Sequence, residues 1–400
     1  MYKKNLLFIT WDGPQTSYME GLFMPIFQEI AKKENIQFHV IQFTWADKSR
    51  IAAIKTSALA MGIQYTAFPI LKKPMAALGS LFTLFTSSKK IAHYFQKHDI
   101  DIVIPRSTFP AFMISQIKNK TFKTIFDADG LPLEERVDFA GLKKESRQYR
   151  WLIDIEKKML LSADAVITRS QKAINIHLQT VGDQYKNKFS VVFNGRDASL
   201  FTINSSNRAK IRQDLNISEE EILMIYCGSL GPQYGLEEMV TLFRAFRQNQ
   251  AAKFLILTGN TEFAQAQIKH QTENIIIKSV NIDNIPGYLN AADIAFAFRQ
   301  PTYSMQGVAP IKLGEYLLTG LPVIASKGIG DTEDILNHFE SCYLYDHQIG
   351  LKNQIAEIIN LIKKAKQTDR ERTRNQALAY FSLESAADSY IKAIEKLKLK

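Results

Sequence analysis

Short runs of β-branched and apolar residues alternate along the whole chain with amphipathic stretches of ten or more residues, the pattern of parallel βα units. In the second half these runs fall at 221–227, 252–258, 275–280, 293–298, 322–326 and 342–345. Each is apolar enough to be buried on both faces of a sheet. Between the first two, Leu236, Met239, Val240, Phe243 and Phe246 recur at three- and four-residue steps, the stripe of a core-facing helix over 236–248. The first half repeats the pattern, with strands expected at 5–10, 37–43, 64–68, 101–105, 123–126, 165–168 and 190–193. The chain therefore reads as α/β, with two doubly wound Rossmann-like sheets. A polar segment at 202–207 has no hydrophobic period and reads as the linker. Domains are expected at 1–198 and 199–379, with the helical pattern at 380–400 free to leave the second domain and pack on the first.

Four hundred residues at 46% hydrophobic and 22% charged suit two cores better than one. Lys3 and Lys4 precede only a short apolar run, with no small-residue cleavage site after it, so no secretory leader is expected. The uncharged stretch 74–88 falls short of the roughly 20 apolar residues that a spanning helix needs. Cys227 and Cys342 offer neither a disulfide framework nor metal-ligand spacing. A cytoplasmic protein, soluble or peripheral on the inner face of the membrane, is the expectation. Charge refines this: residues 1–196 hold 28 Lys+Arg against 17 Asp+Glu, whereas 197–400 hold 22 against 23. The excess sits in the first half and suits an anionic membrane surface or a phosphate-bearing acceptor, or else a solvated basic face. Zinc-finger spacing, aromatic RNA-stacking signatures and short basic blocks are missing, which argues against nucleic acid as partner.

In open α/β sheets the ligand lies beyond the carboxyl ends of the strands, so the loops there carry the candidate chemistry. Gly228-Ser229-Leu230-Gly231-Pro232-Gln233-Tyr234-Gly235 is a glycine-rich turn opening a helix. Its amides suit phosphate oxygens, and its glycines equally suit a tight strand-to-helix turn. In Pro310-Ile311-Lys312-Leu313-Gly314-Glu315-Tyr316-Leu317, Pro310 fits the first turn of a helix, and Lys312 and Glu315 share a face near its positive end. A cation beside free amides suits a diphosphate, and a carboxylate one turn further in suits a ribose diol. In the first half, Asp12-Gly13-Pro14-Gln15-Thr16-Ser17 follows the first strand and reads as a loop at the ligand edge of its sheet. Asp127-Ala128-Asp129-Gly130 and Glu134-Glu135 suit sugar hydroxyls, a cation or a plain turn. Lys72-Lys73 and Lys89-Lys90 enclose an apolar helix that either packs in the domain or lies in a membrane interface.

The donor-helix segment and the following Gly320-Leu321-Pro322-Val323-Ile324 strand resemble the retaining glycosyltransferases of family 4, with the GT-B fold. Val192-Phe193-Asn194-Gly195-Arg196-Asp197 is similar to that family's interdomain segment. Ile285 to Asp293 and Ala163 to Ser170 carry weaker echoes. The resemblance implies two Rossmann-like domains facing a central cleft and transfer of a sugar from a nucleoside-diphosphate sugar, as substrate and not cofactor, to a carbohydrate or lipid-linked acceptor. It implies no metal and a place in surface polysaccharide or glycolipid assembly. Glu315 would then hold the ribose. The family's first acid is replaced by Gly307, its loop Arg and Lys by Ser229 and Tyr234, and its acceptor-side histidine by Arg106-Ser107. Phosphate charge is therefore expected to fall to Lys312 and Arg299, with Gly228 and Ser229 as neutral donors. Gly13, Asn260, Val280, Pro310 and Ile311 complete the donor side, and Arg106, Ser107, Asp127 and Asp129 the acceptor side. Asp12 is the candidate base should the reaction invert. A nucleotide-sugar epimerase of the same fold and a non-catalytic sugar-nucleotide binder are the alternatives.

Overall fold

The computed structural model describes residues 3–14, 17–73, 75–118, 120–268 and 273–397. It divides into two compact units, one of Met1–Phe193 with Leu383–Lys400 and one of Asn194–Ser382. In the first, strands β1 (Lys4–Trp11), β2 (Ile36–Thr44), β3 (Gln64–Pro69), β4 (Ile102–Pro105), β5 (Lys123–Asp127), β6 (Ala165–Thr168) and β7 (Phe189–Val191) form one parallel sheet in the order β3-β2-β1-β4-β5-β6-β7. In the second, β8 (Ile222–Cys227), β9 (Ala252–Leu257), β10 (Ile275–Lys278), β11 (Ile294–Ala297), β12 (Val323–Ser326) and β13 (Tyr343–Tyr345) form another in the order β10-β9-β8-β11-β12-β13. All thirteen expected strands are present. The one at 190–193 sits a residue earlier and ends sooner, because Val192 already lies past the ladder while its amide still donates to Thr168 O. Each unit is a Rossmann-like doubly wound sheet whose strand order reverses once, between β1 and β4 and between β8 and β11.

The second sheet shows why its strands read as continuous apolar runs. Met224, Tyr226, Phe254, Ile256 and Phe296 enter one core cluster, while Leu223, Ile225, Leu255, Leu257 and Ala295 enter the cluster on the opposite face.

Residues 194–198, assigned from sequence to the first domain, belong to the second unit. Asn194 Nδ2 donates to Ala309 O at 3.0 Å, and the Arg196 amide donates to Phe381 O at 2.7 Å. The helix Arg370–Phe381 stays with that unit, and Ser382, in extended backbone, separates it from the helix Leu383–Glu395. The latter packs in the first unit against Met24–Lys33. There Lys33 Nζ lies 2.6 Å from Asp388 Oδ1, and the Phe193 amide donates to Ser389 Oγ at 3.1 Å.

Helix Ile311–Leu318 approaches Arg370–Phe381 through Gly314, where a Cβ would stand 2.8 Å from Phe381 Cδ1 and 3.1 Å from its Cβ. Gly314→Val is expected to cost about 1–3 kcal/mol by overpacking, seen as a lower melting temperature. In the first unit, burial pushes the Glu156 carboxyl up to about 8, with Glu134 adding to it. The folded state therefore keeps a proton that the unfolded chain releases near 4.5, and stability drains by about 1.4 kcal/mol per pH unit as pH rises from there toward 8. Glu156→Gln is expected to melt close to the native protein at pH 5 and above it at pH 8.

Candidate functional site

In the second unit the two strands that flank the reversal, β8 and β11, end in loops stitched to each other. Gln300 donates from its backbone amide to Gln233 O at 3.0 Å and from Nε2 to Glu238 Oε1 at 3.1 Å. Arg299 lays its guanidinium over the Tyr234 ring, 4.9 Å from the centroid. Its amide donates to Ser326 Oγ at 3.0 Å, and that hydroxyl also lies 2.9 Å from His347 Nε2. The loop bearing Arg299 is thus fixed to the ends of β8 and β12.

Helix Ile311–Leu318 is fixed to the same edge by its tyrosine. Tyr316 Oη accepts from the Cys227 amide at 2.8 Å and donates to Cys227 O at 3.1 Å, which holds the helix against the last residue of β8. Burial pushes the Cys227 thiol up to about 11, so it stays neutral there. Pro310 caps the helix from extended backbone rather than entering its first turn, and Ile311 is the first helical residue. One turn in, Glu315 is 1% exposed, with Arg196 Nη2 at 2.8 Å from Oε1 and Lys312 Nζ at 2.8 Å from Oε2. Burial alone would lower the Lys312 pKa; the Glu315 carboxylate outweighs it, and the ammonium is held charged. This is a buried carboxylate between two cations, not a surface Lys–Glu pair.

The remaining donor-side candidates divide. Ser229 is exposed at the start of the glycine-rich loop. Gly228 is not a spare donor, because its amide continues the β8–β9 ladder to Leu257 O at 2.9 Å. Asn260 is exposed after β9, its amide donating to Thr258 Oγ1 at 3.1 Å, and Val280 packs against the core cluster on one sheet face. Gly307 is buried at the end of a single 3-10 turn, Ser304–Gly307.

In the first unit the strands flanking the reversal end in a buried charge cluster. Asp12, just past β1, accepts from Thr10 Oγ1 at 2.5 Å and lies 3.5 Å from Arg106 Nη1. Arg106, just past β4, reaches Asp129 Oδ2 at 2.5 Å and lies over the Phe23 ring. Burial works against its charge, but Asp129 and Asp12 prevail and raise its pKa. Asp127, fully buried at the end of β5, pairs with Arg169 Nη2 at 2.7 Å and accepts from the Asp129 amide at 3.0 Å. Burial raises the Asp127 pKa while Arg169 opposes the rise. Ser107 takes a positive φ of 65° and donates its amide to Asp127 O at 2.8 Å. The Asp127 and Asp129 carboxylates, for which a cation was one option, here take guanidinium partners. Glu134 pairs with Lys144 at 2.7 Å and accepts from Tyr149. Gly13 and Pro14 follow Asp12; Gln15 and Thr16 lie outside the described residues.

The structure thus brings Lys312, Glu315, Arg299, Ser229, Pro310 and Ile311 to the carboxyl edge of one sheet, and Asp12, Arg106, Ser107, Asp127 and Asp129 to that of the other. Sequence reasoning missed Arg196 and Arg169. Each stands just past a strand or its extension, an arginine after an apolar run, and that position is the signal that was there to use.

Residues 207–379 match the family model described as Glycosyl transferases group 1. Among curated proteins, an uncharacterized glycosyltransferase of Methanocaldococcus jannaschii is 24% identical over 183 residues, spanning 43% of this chain and 44% of that protein. The match thus covers less than half of that relative's length. Among solved structures, Anabaena HepE, in complex with UDP and glucose, superposes with a TM-score of 0.69 at 18% identity, over 98% of this chain and 99% of that one. WaaG, a glycosyltransferase involved in lipopolysaccharide biosynthesis, superposes with a TM-score of 0.63 at 15% identity, over 96% and 98%. The fold is that of these proteins, GT-B, with two parallel-sheet Rossmann-like domains, the second of which carries the group 1 glycosyltransferase match.

Proposed function

We propose that this protein transfers a sugar from a nucleoside-diphosphate sugar to an acceptor hydroxyl. The observation that carries this is the Glu315 carboxylate, 1% exposed and held by Arg196 and Lys312 at 2.8 Å each. A carboxylate accepts at about four lone-pair sites, so two cations leave room for the two hydroxyls of a ribose. Lys312 is one third exposed. It can turn to a diphosphate without stranding Glu315, because Arg196 stays. Arg299 supplies the second cation; Ser229 and the first amides of helix Ile311–Leu318 supply neutral donors. The group 1 match over 207–379 and the UDP and glucose bound by HepE support the same reading.

In this reaction the bond from the sugar C1 to the β-phosphate oxygen breaks, the nucleoside diphosphate leaves with the electron pair, and the acceptor oxygen bonds to C1. The acceptor's proton goes to the departing phosphate oxygen. Lys312, Arg299 and the helix dipole meet the charge that grows on the leaving group, the kind of stabilisation that contributes most to such catalysis. That cationic set supports transfer without a metal. Retention of configuration is the course we propose, since the Asp12 carboxylate, the candidate base for inversion, is already taken by Thr10 Oγ1 at 2.5 Å and lies 3.5 Å from Arg106 Nη1. Surface polysaccharide or glycolipid assembly is the setting we propose, in line with WaaG.

Calorimetric titration with UDP, GDP, ADP and CMP is expected to show tight binding of one nucleoside diphosphate. Glu315→Gln, which keeps the shape and removes the charge, should weaken it by roughly 10- to 150-fold, from the loss of about 1.5–3 kcal/mol of charge-assisted hydrogen bonding. Unchanged affinity in a variant that melts normally would overturn the donor site. With donor and acceptor together, the product anomer read by NMR should match the donor, and a chelator should leave the rate unchanged. Donor conversion without acceptor would mark an epimerase, and binding without turnover a sugar-nucleotide binder.

A further inference from the structure

Helix Ala76–His98 is built the normal way in its second half and the opposite way in its first. From Ile91 on, Ile91, Tyr94 and Phe95 face the domain while His93, Gln96 and Lys97 face water. Before that, the inner face is Gly79, Thr83 and Ser87 with one large residue, Leu84, and the outer face is Leu78, Leu81, Phe82 and Phe85. Surface helices of globular domains turn their apolar stripe to the core. Here most of the large apolar residues stand outside, with Phe82 60% exposed and Met75 59%, while Phe85, 56% exposed, rests one side of its ring on Phe112 and Trp151.

The small inner face has a mechanical cause. The chain at Leu71 crosses directly over the helix, where a Cβ on Gly79 would stand 2.3 Å from Leu71 O. Thr83 Oγ1 accepts from the Leu71 amide at 3.1 Å and donates to Gly79 O at 2.9 Å, and Ser87 Oγ donates to Thr83 O at 2.6 Å. With Gly79, Thr83 and Ser87 against backbone and hydroxyls, this half of the helix turns only Leu84 inward among its large apolar residues and leaves Leu78, Leu81 and Phe82 outside. A solvated helix would then carry polar residues outside, and this one does not.

Of the thirteen large apolar residues exposed among the described residues, six fall within Leu71, Met75, Leu78, Leu81, Phe82 and Phe85. Trp45 joins them at 38% exposed, with Lys72 Nζ 4.2 Å above its ring. An apolar patch of this density marks an interaction surface. Its charge says which kind: from Lys48 to His98 the sequence has no Asp or Glu, and it has Lys48, Arg50, Lys55, Lys72, Lys73, Lys89, Lys90 and Lys97. Lys72 and Lys73 stand before the exposed apolar stretch and Lys89 and Lys90 after it, and none of the four makes an ion pair among the described residues.

We infer that this face docks on an anionic lipid surface, with Met75, Leu78, Leu81 and Phe82 in the acyl boundary and the lysines among the head groups. A second copy of the chain is a poor occupant, since pairing the two faces would set lysine against lysine without an acid between them. An aromatic ring beside a cation at the patch edge, Trp45 under Lys72, is the pairing favoured at a membrane interface. The helix lies on the bilayer and does not cross it, as none of the helices among the described residues is long and apolar enough to span. The inference stands apart from the donor reading: nucleotide titration tests that one, and vesicles test this.

The full chain should co-sediment with vesicles of mixed phosphatidylcholine and phosphatidylglycerol, not with phosphatidylcholine alone, and Trp45 emission should shift to the blue on binding. High salt should weaken the binding. Leu78→Gln with Phe82→Gln, both exposed, should lower it roughly tenfold or more while melting and nucleotide affinity stay as in the native protein. Lys73→Glu with Lys89→Glu should do the same. Equal binding to neutral and anionic vesicles, binding indifferent to both double variants, or concentration-dependent dimerisation lost in Leu78→Gln/Phe82→Gln without vesicle binding would each overturn the inference.

Discussion

A carboxylate with almost no access to water has to be charged by its surroundings or not charged at all, and the second unit is arranged around one such group. Desolvating a carboxylate costs several kcal/mol, which only close cations and hydrogen bonds recover. Glu315 has both of its oxygens against cations, one from the chain that enters the unit, Arg196, and one from its own helix, Lys312. This requirement fixes more than a pair. Arg196 must come to the helix, which ties residues 194–198 into the second unit, and its amide on Phe381 O ties the end of helix Arg370–Phe381 to the same place. Gly314 lets that helix come close, and the Tyr316 hydroxyl joins the carboxylate's helix to the end of β8.

The first unit solves the same problem at the same topological place with a different charge ratio. Its reversal point gathers Asp12, Asp127 and Asp129 with Arg106 and Arg169, all largely buried. Two cations against three carboxylates leave one negative charge in excess. Burial raises the Asp127 pKa and the neighbouring Asp129 adds to the rise, while Arg169 and Arg106 oppose it. The second unit keeps a surplus cation instead, and a surplus cation at a strand edge is what an anionic donor needs.

How far the sequence revealed this depends on the range of the interaction. The strands were legible because both faces of each parallel sheet are buried, which forces apolar runs that can be read locally. Lys312 and Glu315 were legible because they lie three apart on one helix, and Pro310 marked where that helix begins. Arg196 and Arg169 were not, since their partners lie 119 and 42 residues away and no local spacing encodes such a pairing. The neutral-donor role given to Gly228 failed for a related reason: whether an amide is free depends on where the neighbouring strand ends, and β9 runs far enough to take it. The boundary set at residue 198 was displaced because a polar stretch marks a surface, not the point where contacts change sides.

Helix Ala76–His98 shows the opposite limit, a pattern that is legible but ambiguous. Apolar residues flanked by lysines describe a core helix and an interfacial helix equally well, because periodicity records that one face is apolar and not which way that face points. Its direction is decided by Leu71, whose carbonyl occupies the space a side chain at Gly79 would need. Once that space is taken, Gly79, Thr83 and Ser87 lie inward beside Leu84, and Leu78, Leu81 and Phe82 lie outward. The outward turn of Leu78, Leu81 and Phe82 thus follows from a single backbone crossing, a long-range contact that the pattern along the helix does not record.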